Sequence, residues 1–229
     1  FHPKSTVGIV AGLKGLVSIF AMDGKENKKI HNILYEKFFI NSCRLTIDGD
    51  ELIIGGSIRD FHTYNLMTGY KQRTRLPREI SNLKYFQLSP CGKYMCSIGK
   101  FGEIHLMHTA TKELLCTMKQ EYQSTSLQFS MDSNEIYSHS DDNEVTIFDV
   151  RTQRVKHRFI DDGCVNGTTL AISPNGNFLA TGSRQGFVNL YNCQDVLASK
   201  HPKPIKAISN LTTEITDLKF NHTSELLAM

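Results

Sequence analysis

"LAISPNGNFLATGSRQGFVNLYN", residues 170–192, is the stretch on which the fold turns. It reads as a short apolar run, a Pro-Asn-Gly turn, a second apolar run, a Gly-bearing turn and a strand of alternating polarity. Its first half returns in "FHPKSTVGIV" (1–10), "LTIDGDELI" (45–53), "FQLSPCGKYM" (86–95), "LQFSMDSNEIY" (127–137) and "LKFNHTSELLA" (218–228). The place of Pro174 is taken by Pro3, Ile47, Pro90, Met131 and His222, at steps of 44, 43, 41, 43 and 48 residues. The second half returns in "LVSIFAMDGK" (16–25), "FHTYNLMTGY" (61–70), "EIHLMHTATKE" (103–113) and "EVTIFDVRTQR" (144–154), and the parent copy extends as "FVNLYNCQDV" (187–196). In all of these, apolar and polar residues alternate with the period of a strand that buries one face.

A unit of about 44 residues with four short strands and no helical period is the mark of a β-propeller blade of the WD-repeat type. One twisted sheet cannot bury both its faces; stacking the next copy against it does, which is why the pattern recurs. The expected fold is therefore all-β, a single propeller segment over 1–229. It holds about five degenerate blades of a closed ring of about seven, the first blade lacking its opening strand and the last stopping early. Left alone, such a segment is expected to expose sticky strand edges.

The blades are worn. At the Trp-Asp site stand Phe20-Ala21, Tyr64-Asn65, Met107-His108, Phe148-Asp149 and Tyr191-Asn192, and the chain contains no Trp. The Asp expected in the turn before that strand survives as Asp142, with Lys14, Ile58, Phe101 and Gln185 elsewhere. Packing rather than a polar network is thus expected to hold the blades.

Composition narrows the function classes. Net charge is +3, hydrophobic residues make up 40% and charged ones 21%, an ordinary globular balance that allows an acidic partner without demanding one. No apolar run reaches the roughly 18 residues of a helical membrane span. Six cysteines without a C-x-x-C pair read as reduced thiols of an intracellular protein, and the N-x-T triplets at Asn166, Asn210 and Asn221 as turn residues rather than glycosylation sites.

The search for chemistry ends without a catalytic set. His105 and His108 form H-x-x-H, but on a strand they point to opposite faces, so no metal or other cofactor is assigned. "SHSDDN" (138–143) places Ser, His and Asp side by side in a turn, which is not triad geometry. Asp161 and Asp162 read as a solvent-facing pair in an inter-blade connection. The clearest charge feature is "KQRTRLPR" (71–78), where Lys71, Arg73, Arg75 and Arg78 are read into one inter-blade connection able to touch phosphates or an acidic segment. "KHPKPIK" (200–206) adds Lys203 and Lys206. No aromatics interleave with either cluster, so any RNA contact is to backbone.

"GSRQGFVNLYN" (182–192), "PKPIKAISNLTTEITDLKFNHTSELLAM" (202–229), "MHTATKELLCTMK" (107–119), "FIDDGCVNG" (159–167) and the start through "VAGLKGLVSIFAMDGKENKKI" (10–30) resemble, in order, the propeller of the U3 small nucleolar RNA-associated protein 18 family. The resemblance implies a non-enzymatic nucleolar scaffold of the UtpB subcomplex in the small-subunit processome, with other processome proteins as partners. Pre-ribosomal RNA or small nucleolar RNA backbone is a further implied contact. No membrane or small-molecule partner is implied. The family's exosome-helicase motif lies in an N-terminal tail that the resemblance does not reach. It carries over no catalytic residue. The residues alone leave open a propeller adaptor for a ubiquitin ligase or signalling complex, and a propeller hydrolase.

Overall fold

The recurring turn has a physical cause visible in the five copies whose turn is described. A side-chain oxygen of Thr46, Ser89, Ser130, Ser173 or Asn221 accepts the backbone N–H five residues on, at 2.9–3.0 Å. The residue three positions along adopts positive φ: Gly49, Gly92, Ser133, Gly176 and Ser224. Glycine enters that region freely, whereas serine enters it at a cost of about 1 kcal/mol. The two serines carry a compensating bond: Ser133 Oγ accepts the Cys91 N–H at 3.0 Å and Ser224 Oγ accepts that of Asn175 at 3.1 Å. Each ties its own turn to that of the preceding repeat.

This computed structural model describes residues 2, 5–12, 14–22, 27–35, 38–56, 59–80, 83–99, 102–209 and 211–229. Pro3, residues 23–26, Ile58, Phe101 and Asn210 of the readings above lie outside them. The strands form six antiparallel sheets. The first holds β1 (Val7–Ala11), β2 (Leu16–Met22) and β3 (Asn27–Leu34); the second β4 (Ile40–Leu45), β5 (Glu51–Gly56), β6 (Asp60–Asn65) and β7 (Lys71–Arg75). The third holds β8 (Tyr85–Leu88), β9 (Tyr94–Ile98), β10 (Glu103–His108) and β11 (Leu114–Lys119). The fourth comprises β12 (Ser124–Phe129), β13 (Glu135–Ser140), β14 (Glu144–Asp149) and β15 (Arg154–Ile160). The fifth contains β16 (Gly167–Ile172), β17 (Phe178–Ser183), β18 (Val188–Asn192) and β19 (Lys206–Ile208), and the sixth β20 (Lys219–Phe220) with β21 (Leu227–Ala228).

From the second sheet on, each sheet's first strand touches that of the next, β4 to β8 to β12 to β16 to β20, which is the arrangement of propeller blades. The core is a series of layers between sheets. Phe61 meets Phe86 edge-on between the second and third, with centroids 5.3 Å apart; Phe129 and Phe148 lie between the third and fourth; Phe159 and Tyr191 meet at 5.4 Å between the fourth and fifth.

Three expectations need correction. The parent strand ends at Asn192, whose side chain accepts the Gln194 N–H and starts α1 (Cys193–Ala198); the fourth strand of that sheet is β19. Part of the buried polar network survives, around Asp161 between the fourth and fifth sheets, whereas asparagine or aspartate elsewhere closes an exposed turn after the third strand. Asn65 Oδ1 accepts the N–H groups of Met67 and Thr68, as Asp149 Oδ1 does that of Thr152. Asp142 is exposed, and the buried carboxylates are elsewhere. Asp161, read as facing solvent, is 1% exposed and accepts from Tyr191 Oη at 2.6 Å and Asn189 Nδ2 at 2.9 Å; only Asp162 faces outward. The phenol at the worn Trp site supplies the hydrogen bond that makes this burial tolerable.

Candidate nucleic-acid interface

The segment "KQRTR" is a strand, not a connection: β7 is the outermost strand of its sheet, and only Arg78 of the four cations lies in the loop beyond it. β7 buries neither face, so it needs no apolar alternation. Its register sets Lys71 opposite Tyr64, Arg73 opposite His62 and Arg75 opposite Asp60. Alternation along the strand puts these three cations on one face.

Their electrostatic states differ. Arg73 donates through Nε to Asp60 Oδ2 at 2.9 Å, and Asp60 is nearly sealed from water, with a side chain 4% exposed. A buried carboxylate requires such a partner, so Arg73 is committed to the sheet. Burial, then the Arg73 charge, push the His62 imidazole below its usual basicity, with Asp60 opposing. Lys71, Arg75 and Arg78 have no described carboxylate in ion-pair range. Neither has Arg59, which the sequence reading passed over because it stands alone in its stretch. Arg59 Nη1 donates to the Arg78 carbonyl at 3.4 Å, and Arg59, Asp60, Arg73 and Arg75 line one depression.

Two other outer strands pair several of their cations. On β15, Lys156 pairs with Glu135, and Arg158 lies 3.9 Å from both Glu121 and Glu144; on β11, Lys119 lies 3.5 Å from Glu103. The cations of β7 are largely unneutralised among the described residues. They continue toward the first sheet, where His31 stacks on Tyr64 at 6.3 Å and the Lys71 ammonium sits 5.6 Å from the Tyr35 ring centre. The neighbouring outer strand β3 adds the exposed Lys28 and Lys29.

Lys203 and Lys206 are exposed at the fifth sheet, Lys206 on β19 opposite Leu190, with the third and fourth sheets between them and β7. The structure does not bring the two clusters together. His105 is buried, its Nδ1 3.1 Å from Thr117 Oγ1, while His108 at the strand end points the other way. Ser138 bonds Ser124 rather than His139, at 2.8 Å. Asn166 and Asn221 are turn residues, Asn166 at φ 55° and Asn221 holding its turn closed. Near the first strands, a depression lined by Ser42, Arg44, Thr125, Thr168 and Lys219 contains one arginine. That arginine is bound to Gln87 at 2.7 Å, Tyr85 at 2.9 Å and the Cys43 carbonyl at 2.8 Å.

The WD domain, G-beta repeat family matches residues 155–192, which run from β15 through β18. Over all 229 residues the chain is 41% identical to the U3 small nucleolar RNA-associated protein 18 homolog of Drosophila melanogaster. The chain belongs to this family. The Homo sapiens U3 small nucleolar RNA-associated protein 18 homolog is 37% identical over 232 residues, and the Saccharomyces cerevisiae U3 small nucleolar RNA-associated protein 18 is 24% identical over 279 residues, again across the whole of this chain. The chain spans 45%, 42% and 47% of these three relatives' lengths, a little under half of each.

Proposed function

We propose that this chain is the propeller region of a non-catalytic ribosome-biogenesis scaffold. In this reading it is a nucleolar UtpB subunit of the small-subunit processome and supports pre-ribosomal RNA processing. The supporting observation is the similarity, over the whole of this chain, to proteins named for association with the U3 small nucleolar RNA. The whole of 1–229 is taken as one propeller segment whose rims dock neighbouring subunits. Its RNA-facing surface is the band of Lys71, Arg75, Arg78 and Arg59, with Arg73 holding the strand in place and Lys203 and Lys206 forming a separate contact. Unpaired cations on an exposed outer strand suit a phosphate backbone, whose contacts are electrostatic and sequence-independent. Arg44, tied on three sides, is poorly placed to receive an acidic peptide in the manner of a ligase adaptor.

The test is gradient sedimentation of the tagged full-length protein from lysate, with and without RNase. Migration in a very large particle that contains precursor ribosomal RNA and collapses on RNase treatment is expected. A small RNase-insensitive complex refutes the reading and favours the adaptor.

A further inference from the structure

Between the fourth and fifth sheets lies a polar cluster that the RNA reading does not use. His139 stands near the end of β13, and Asp161 and Cys164 lie in the connection from β15 to β16. One ligand atom from each, an imidazole nitrogen, a carboxylate oxygen and a thiol sulfur, all fall within 4.8 Å of one another. The three residues are 0%, 1% and 6% exposed.

The hydrogen bonds around the cluster fix its electronic state. His139 Nδ1 lies 3.2 Å from the Thr169 carbonyl oxygen, which can only accept, so Nδ1 carries the proton and Nε2 presents a lone pair. Asp161 Oδ1 is held by Tyr191 and Asn189, which both donate to it. Nε2 and Asp161 Oδ2 then face each other at 3.5 Å, and neither has a hydrogen-bond partner. Two lone pairs sealed from water repel unless a positive species lies between them. A proton there makes an imidazolium–carboxylate pair and leaves the thiol neutral, hydrogen-bonded with Asp161 and Ser183. A divalent ion uses all three donors, and with one carboxylate and one thiolate its charge is cancelled.

We propose that His139, Asp161 and Cys164 form a three-ligand zinc site that pins the connection between the fourth and fifth sheets. Nitrogen, oxygen and sulfur donors at this separation suit that borderline ion, in the open arrangement that leaves the fourth tetrahedral position to a non-protein ligand. The outer shell follows the usual design: the imidazole's other N–H donates to a backbone carbonyl, and the carboxylate's other oxygen is bonded by Tyr191 and Asn189. Gly167 makes room for the ring, since a Cβ there would come within 2.3 Å of His139 Nε2. The exposed Asp162, Gly163 and Val165 of the same connection give an ion a short path in.

The test uses the full-length protein, purified without a histidine tag or chelator, with zinc measured by mass spectrometry. About one zinc per chain is expected, falling at least tenfold in Cys164→Ser and Asp161→Asn, with circular dichroism reporting that the variants fold. If a variant does not fold, cobalt substitution of the wild type decides, because thiolate ligation produces a sulfur-to-cobalt charge-transfer band in the near ultraviolet. A zinc-free wild type that stays zinc-free after incubation with zinc chloride overturns the proposal. So does zinc retained equally by both folded variants, or a cobalt form without that band. None of these outcomes bears on sedimentation with RNA.

Discussion

Replacing Arg59, Lys71, Arg75 and Arg78 by glutamine removes the unneutralised cations around β7 while Arg73 stays to partner Asp60. The structure gives the size of the effect. Four cations without a described counter-charge can each displace one counterion from a phosphate, and each contact to single-stranded RNA contributes about 0.7 to the slope of log affinity against log salt. Together they account for a slope of about 2.8, which is roughly a 50-fold loss of affinity between 50 and 200 mM salt. That corresponds to about 2.4 kcal/mol. Fluorescence anisotropy with an unstructured RNA, measured across a potassium chloride series on the full-length protein, reads this slope directly. The quadruple variant should flatten it by about 2 to 3. Removing Lys156 and Arg158 of β15 in parallel should change it by less than about 1, because both already face carboxylates. Equal slopes for wild type and quadruple variant would refute the assignment of RNA contact to this strand.

Tyr191→Phe deletes the 2.6 Å bond to Asp161 and leaves the Asp162 N–H without its phenolic acceptor, so urea unfolding should show a loss of about 1–3 kcal/mol; a loss under about 0.5 would mean the phenol is dispensable. Ser133→Ala keeps the positive φ but loses the bond to Cys91, whereas Ser133→Gly loses the bond and relieves the backbone. Alanine should therefore be the more destabilising by about 1 kcal/mol, and the reverse order in thermal melts would contradict the turn analysis. Burial pushes the His105 imidazole below its ordinary value of 6.5, so the unfolded chain binds this proton first. The stability this residue contributes is complete above about pH 6.5 and is lost as pH falls from there toward the lowered folded value. His105→Asn should reduce the steepness of that acid-side loss in denaturant titrations at successive pH, and an unchanged profile would count against it.

The strands that were legible in the sequence are those with one face in an inter-sheet layer. Residues such as Ile136, Phe148 and Leu179 are buried there, and their alternation is the repeat. β7 was not legible, because "KQRTR" buries neither face and carries no period of two. α1 was hidden by its brevity: its two buried residues, Cys193 and Val196, make one i, i+3 pair, too little for a helical period to show, and the switch lies in one side-chain bond from Asn192. Asp161 could not be placed from its own neighbourhood, since Tyr191 and Asn189 lie 30 and 28 residues away. Arg59 escaped for the same reason. Its relation to Arg75 and Arg78 follows from the pairing of β6 with β7, not from any local run of charge.

The gradient of burial across each sheet has a consequence for how such a molecule changes over time. In β5, β13 and β17 every residue after the first is buried, whereas β7 buries none and β15 only Phe159. A substitution in a second strand disturbs two inter-sheet layers; one in a fourth strand disturbs mainly the solvent. A four-stranded sheet is therefore a constrained body with a rewritable edge. A lineage can alter the charge of one edge, and with it the neighbour that edge favours, while the other sheets keep their contacts and the fold is untouched.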